Sequence, residues 1–126
     1  MLLRHLANDP GVSRARIQLM VTSTDKVPNT SATAASSGSD LNGQAVKAAC
    51  ETLLARLAPV AAQLLGGEAG EVRFADDAVY LESKPARRLD FAAVTAAAYR
   101  ERVSLSATGF YRTPGIHWDP KAGQGH

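Results

Sequence analysis

The chain has 126 residues and a mass of 13.3 kDa, which allows one domain of ordinary size and not two. Hydrophobic residues make up 45% and charged residues 21%, which indicates a globular protein. The formal net charge is only +2, so electrostatic binding to nucleic acid or to a membrane surface is not expected. A single cysteine excludes a disulfide scaffold, and no apolar run approaches the roughly 18 residues of a transmembrane helix, so we expect a cytoplasmic protein.

The first 39 residues contain little regular pattern. Residues 1–6 form a short helical pattern that Pro10 and Gly11 end. From Arg16 to Val21 apolar and polar positions alternate, which predicts a strand whose buried face carries Ile17, Leu19 and Val21. Residues 22–39 are rich in Ser, Thr and small side chains. On composition this stretch is either a flexible linker or a functional loop, because structureless connections of that length are uncommon in compact domains.

The strongest helix signal runs from about Asp40 to Leu65. Its core-facing stripe repeats at steps of four and three and comprises Val46, Cys50, Leu53, Leu57, Val60 and Leu64. Ser39 or Asp40 is the expected N-cap, and Gly66-Gly67 is the expected stop. Pro59 predicts a kink or break near Ala58, since proline lacks an N–H and clashes with the preceding turn.

The second half of the chain predicts a hairpin, a helix and a strand. The segments 71–74 and 79–81 bracket Asp76-Asp77 as the two arms of a hairpin. Residues 91–102 predict a helix with Asp90 as N-cap and with Phe91, Val94 and Ala98 on its buried face. Residues 103–108 alternate again and predict a strand that continues to Pro114. The expected fold class is therefore α+β.

Only one place in the chain indicates ligand contact. The N-terminus of a helix presents unpaired N–H groups and the positive end of its dipole, which favour anions. The side chains that lead into the long helix are small, so a bulky group would reach backbone amides there; these residues are Thr33, Ala34, Ala35, Ser36, Ser37 and Gly38. The alternative interpretation is an ordinary Ser-rich cap.

The sequence contains no catalytic set and no metal site. Cys50 lies on the apolar stripe, where a buried structural thiol is expected rather than a nucleophile. The three histidines, His5, His117 and His126, are scattered, and Asp76-Asp77 fits ordinary turn chemistry. Gly123-Gln124-Gly125 lacks the strand-to-helix context of a cofactor loop. We therefore predict no catalytic residue and no metal ligand in this chain.

Two long segments resemble the molybdenum-binding subunit of xanthine dehydrogenases. Residues 22–46, TSTDKVPNTSATAASSGSDLNGQAV, carry one motif, and residues 104–114, SLSATGFYRTP, carry the other. Their order and separation are similar to those of that family, and the resemblance covers the chain from about Gly11 onward. It implies that residues 1–126 are part of a larger molybdenum-cofactor-binding domain, with residues 22–40 as its cofactor-contact loop.

The resemblance also implies an activity and a set of cofactors. The family hydroxylates hypoxanthine and xanthine with water as oxygen donor, and it passes electrons through iron–sulfur clusters and FAD, usually to NAD. Residues Thr33 to Gly38 correspond to a loop that packs against the molybdopterin, with Ala35 beside the metal and with Ser36, Ser37 and Gly38 hydrogen-bonded to the pterin. The iron–sulfur clusters and FAD are expected on other parts of the enzyme, so the expected partners are the rest of that polypeptide and, in the full enzyme, a purine.

Some family features are missing from the sequence. A catalytic glutamate in a Gly-Glu-Pro-Pro-like segment, an upstream Gly-Gln-Gly loop and the residues that clamp the purine have no counterpart here. We therefore expect an internal fragment that is inactive alone. The alternative is a non-catalytic binding or scaffold module that has kept the fold.

Overall fold

The computed structural model describes residues 11–21, 23, 25 and 37–125. Two α-helices, α1 (Ser37–Leu65) and α2 (Phe91–Arg100), pack against a three-stranded antiparallel sheet. Its strands are β1 (Val72–Ala75), β2 (Ala78–Leu81) and β3 (Lys84–Asp90), in the spatial order β1-β2-β3. Single 3₁₀ turns lie at Arg14–Arg16 and Ala69–Glu71. The predicted α+β class is confirmed.

The predicted hairpin is present, and Asp76 and Asp77 form its two-residue turn. Ala75 pairs with Ala78 across the turn, and the φ angles of Asp76 and Asp77 are 54° and 59°. Positive φ at both central positions is the signature of a type I′ turn, whose twist matches that of the flanking strands. Asp tolerates this left-handed conformation better than most residues.

The third strand, β3, is absent from the sequence-based prediction. Its sequence, KPARRLD, is charged and contains Pro85, and only Leu89 among its seven residues is even half-buried. Such a strand has no apolar alternation to detect. It occupies an edge of the sheet, where charge and proline are tolerated because one side of the strand needs no partner.

Helix α1 begins at Ser37, so the predicted caps Ser39 and Asp40 lie inside its first turn. Of the kink or break predicted near Ala58, a break is excluded, because α1 continues through Pro59 to Leu65. Pro59 is exposed, so its ring faces away from the core while the following residues are held by packing. The helix ends as predicted at Gly66, whose φ is 69°, and the Gly67 N–H donates to the Ala62 carbonyl at 3.0 Å, a Schellman bond.

The core-facing stripe of α1 shifts near its end. Cys50, Leu57 and Val60 are buried as predicted, but Leu64 is 39% exposed and Leu65 is fully buried in its place. With Ala61 and Ala62 also buried, the final turns of α1 present a broader apolar face than a strict stripe. This face packs on the sheet and on α2.

Helix α2 starts and stops through local hydrogen bonds. The carboxylate of Asp90 accepts from the Ala92 N–H at 2.7 Å, as expected for the predicted N-cap. The helix ends at Arg100, two residues before the predicted end, because Arg102 takes a left-handed φ of 60°. The N–H groups of Arg102 and Val103 then donate to Tyr99 and Ala98, which completes a second Schellman motif.

The hydrophobic core lies between the helices and the inner face of the hairpin. Leu65, Val79, Leu81 and Val94 are the largest fully buried side chains. Burial of each such side chain contributes about 1.5–3 kcal/mol relative to an exposed one. The rings of Phe74 and Phe91 meet edge to face at the margin of this cluster, 6.2 Å apart.

Two predicted strands are wrong. Within the described part of the chain, residues 16–21 and 103–114 have no strand pairing. The sheet contains only β1, β2 and β3. Leu19, Met20 and Val21 are all exposed by more than half, so alternation there does not mark a buried face. A small antiparallel pair, β4 (Trp118–Asp119) with β5 (Gln124–Gly125), forms instead in the tail. The predicted helix over residues 1–6 lies outside the described residues.

Helix α1 is also long and apolar enough, by length and composition alone, to cross a membrane. Its residues Gly38–Leu65 include a window of mean hydropathy 1.3, a property that counting consecutive apolar residues does not detect. The core helices of soluble proteins meet the same criterion. Here Leu57, Val60, Ala61 and Leu65 of α1 belong to the core shared with the sheet and α2.

Candidate functional site

The residues predicted to contact a ligand lead into the first turn of α1. Thr33, Ala34, Ala35 and Ser36 lie outside the described residues, whereas Ser37 and Gly38 are the first two residues of the helix. The first four N–H groups of an α-helix have no partner within the helix and carry its positive dipole end. Gly38 is half-buried and adds no side chain to this turn.

The second motif segment lies directly against α1, at Ala45 and Ala49. A Cβ placed on Gly109 would collide with the carbonyl oxygen of Ala45 and would lie 2.9 Å from the Ala49 nitrogen. Only glycine allows this approach of one backbone to another. The second motif segment therefore packs, at Gly109, against the part of the first motif that lies in the N-terminal half of α1, at Ala45.

Arg56 fixes the start of the second segment on α1. Its Nη1 donates to the carbonyl oxygens of Ser106 at 2.8 Å and Ser104 at 3.3 Å. Both carbonyls belong to a stretch without strand partners, so the guanidinium supplies hydrogen bonds that a sheet would otherwise provide. The sequence places Arg56 only off the apolar stripe and gives no sign of this role.

The structure describes some of the side chains that the sequence analysis considered for catalysis or metal binding. Cys50 is buried, with 7% of its surface exposed, and His117 is exposed. His5 and His126 lie outside the described residues. Within residues 11–21, 23, 25 and 37–125, no three His, Cys, Asp or Glu residues are grouped to hold a metal ion. Gly123 is in a turn and Gln124–Gly125 form β5, so the tail glycines do not precede a helix.

Asp77 joins the segment around Gly11 to the hairpin and to α2. Its Oδ1 accepts from the Ser13 N–H at 2.7 Å and lies 3.7 Å from Arg16 Nε. Its backbone N–H donates to the Gly11 carbonyl, and its carbonyl accepts from the Phe91 N–H, both at 2.8 Å. The hydrogen bond from Ser13, aided by the Arg16 charge, lowers the pKa of the Asp77 carboxyl.

Arg16 also makes a two-pronged contact with Asp90. Nη1 and Nη2 of Arg16 lie 3.1 and 3.3 Å from the two carboxylate oxygens of Asp90. The same carboxylate caps α2, so it accepts from a guanidinium and from a backbone amide at once. The hydrogen bond from Arg16, followed by that from Ala92, lowers the pKa of Asp90, and Asp90 in turn raises the pKa of Arg16.

A groove of about 590 Å³ lies beside these contacts. Val12, Arg16, Ile17 and Gln18 line one side of it. The remaining lining comes from α1, from the start of α2 and from the second motif segment; these residues are Cys50, Leu53, Leu54, Leu57, Phe91, Thr95 and Leu105. The groove is therefore mainly apolar, and Leu105 is its lining residue from the second motif segment.

Comparison with known proteins identifies the family. The sequence profile of the molybdopterin cofactor-binding domain matches residues 2–126, which is nearly the whole chain. The chain belongs to this family. The resemblance seen in residues 22–46 and 104–114 is thus confirmed, and the mixed helix and sheet fits part of such a molybdopterin cofactor-binding domain.

Curated relatives of this chain are named xanthine dehydrogenases. The chain is 49% identical over 104 residues to "Xanthine dehydrogenase" of Calliphora vicina, covering 82% of this chain and 6% of the relative. It is 37% identical over 119 residues to the protein of that name from Oryza sativa, covering 94% of this chain and 7% of the relative. It is also 37% identical over 115 residues to "Xanthine dehydrogenase/oxidase" of Rattus norvegicus, covering 91% and 7% respectively. The chain thus spans only 6–7% of the length of these three relatives.

Proposed function

We propose that this chain is part of the molybdenum-binding subunit of a xanthine dehydrogenase and forms one wall of its cofactor pocket. The contact of Gly109 with Ala45 carries the proposal, because it packs one motif segment against the end of the other in the N-terminal half of α1. Membership of the molybdopterin cofactor-binding domain family and the named relatives support it.

The described residues fit a polar, anionic cofactor at this point. The N–H groups of the first turn of α1 have no partner within the helix and attract phosphate-like and carbonyl oxygens, and Gly38 adds no side chain there. Thr33, Ala34, Ala35, Ser36, Ser37 and Gly38 would hold the group, the small side chains permitting close approach and the hydroxyls donating hydrogen bonds. When bound, the molybdenum cofactor supplies the two-electron oxidation that hydroxylates hypoxanthine or xanthine with water as oxygen donor.

This chain contributes positioning rather than chemistry. Its residues bind and orient the cofactor, while the general base and the residues that hold the purine belong to other parts of the enzyme. Iron–sulfur clusters and FAD on those other parts carry the electrons to NAD. The working enzyme is cytoplasmic, and the partners of this chain are the rest of its polypeptide.

The proposal predicts that purine oxidation requires more than these 126 residues. The purified chain and a full-length polypeptide that contains it are each incubated with xanthine and NAD, and urate formation is followed by ultraviolet absorbance. We expect turnover from the full-length protein and none from the chain alone. Xanthine turnover by the isolated chain would contradict the positioning role. A molybdenum-loaded full-length protein that oxidises no purine would favour the scaffold alternative.

A further inference from the structure

We propose that residues 11–18 form a strap that closes over Cys50 and opens as a unit when its latch at Asp77 is lost. Val12, Arg16, Ile17 and Gln18 of the strap line the groove described above together with Cys50. This proposal concerns the conformation of the chain and does not depend on the cofactor.

The latch consists of polar contacts on a single side of the strap. Gly11, Ser13 and Arg16 all contact Asp77, through its backbone N–H, its Oδ1 and its carboxylate charge respectively. Arg16 extends the same set of contacts to Asp90. The Asp77 carboxylate holds the strap at Ser13 and at Arg16, so loss of that side chain weakens both contacts and leaves only the backbone hydrogen bond to Gly11 between Asp77 and the strap.

The apolar contacts of the strap are too limited to hold it without the latch. Val12 and Ile17 are half-buried, and the other strap side chains are exposed. The core cluster of Leu65, Val79, Leu81 and Val94 includes no strap residue. The strap therefore opens without unfolding the sheet or the helices, in the way that local openings cost less than global unfolding.

Two substitutions remove the latch from opposite sides while sparing the core. Asp77→Gly deletes the carboxylate, but glycine suits the left-handed turn position, and Asp-Gly is a favoured type I′ pair. Gly11→Ala acts on the strap, since its Cβ would lie 2.5 Å from the Phe74 carbonyl oxygen and the φ of 63° disfavours alanine. Glu82→Gln is the matched control, because Glu82 pairs with Arg73 on the same hairpin and does not contact the strap.

The test measures how fast Cys50, the sole cysteine of the 126-residue chain, reacts with N-ethylmaleimide, read by mass spectrometry. Loss of the hydrogen bond between the Ser13 N–H and the charged Asp77 carboxylate predicts a labelling rate about tenfold higher for Asp77→Gly. The collision of the added methyl group with Phe74 predicts faster labelling for Gly11→Ala as well. The labelling rate of Glu82→Gln should equal that of the wild type. The folded wild type should in turn be labelled more slowly than the urea-unfolded chain. Thermal melting by circular dichroism checks that each variant is folded.

Three results would overturn the strap. They are wild-type labelling rates in both latch variants, equally fast labelling in Glu82→Gln, and a wild-type rate equal to that of the urea-unfolded chain. If Asp77→Gly loses its cooperative melt, Gly11→Ala decides the outcome, because Gly11 is outside the hairpin and the core.

Discussion

Asp77 and Asp90 show how much a single residue can organise at the surface of this chain. Each carboxylate accepts a backbone N–H, from Ser13 or from Ala92, and each faces the guanidinium of Arg16. The sequence predicts their local roles as turn residue and helix cap, because those roles depend on neighbours in the chain. Their shared partner Arg16 is more than 60 residues away, so no local pattern reveals it.

These two carboxylates make stability dependent on acid. The pKa values of Asp77 and Asp90 are lowered in the folded chain, so the unfolded chain binds more protons as the solution becomes acid. The contribution of these two carboxylates to stability is complete above the ordinary carboxyl pKa of about 3.9 and is lost as the pH falls through their pKa values in the folded chain.

We expect the urea-unfolding free energy to decrease below about pH 4. The decrease should be smaller in Asp90→Asn, which keeps an N-cap but loses the charge. Identical pH profiles for the two proteins would contradict this assignment.

At the scale of elements, the helices and the hairpin are predictable and the unpaired segments are not. Apolar spacing and local caps locate α1, α2 and the turn between β1 and β2. Alternation fails for residues 16–21 and 103–108, because a strand also requires a hydrogen-bonding partner, which the sequence does not supply. The charged strand β3 is missed for the converse reason, since it has a partner but no apolar pattern.

The packing of the second motif segment on α1 gives the element-scale prediction. Gly109→Ala forces a methyl group onto the Ala45 carbonyl, and overpacking of this kind costs about 2 kcal/mol. Urea denaturation should show that loss of unfolding free energy. Gly70→Ala is the control, because no atom lies within 4 Å of the added methyl, and its effect should be within about 0.5 kcal/mol. Equal stability of the two variants would mean that the segment does not pack closely on α1.

At the scale of the whole molecule, the sequence indicates more about function than about architecture. Local sequence patterns predict a helix N-terminus preceded by small residues. They do not predict the rest of the binding site, because the groups that complete it are distant in sequence. The motifs in residues 22–46 and 104–114 indicate the family, and the sequence profile of the molybdopterin cofactor-binding domain confirms it. What the sequence does not show is that residues 104–114 pack on α1, through Gly109 and Arg56.

The molybdenum content of an Ala35 variant tests the central claim most directly. In the full-length polypeptide, Ala35→Phe places a large ring where the proposed loop must approach the cofactor, whereas Ala35→Gly leaves that space open. Elemental analysis of the purified proteins should find wild-type molybdenum in Ala35→Gly and at least a tenfold loss in Ala35→Phe, as expected when a bulky side chain replaces a close contact. Wild-type molybdenum in Ala35→Phe, with the protein folded, would contradict the account.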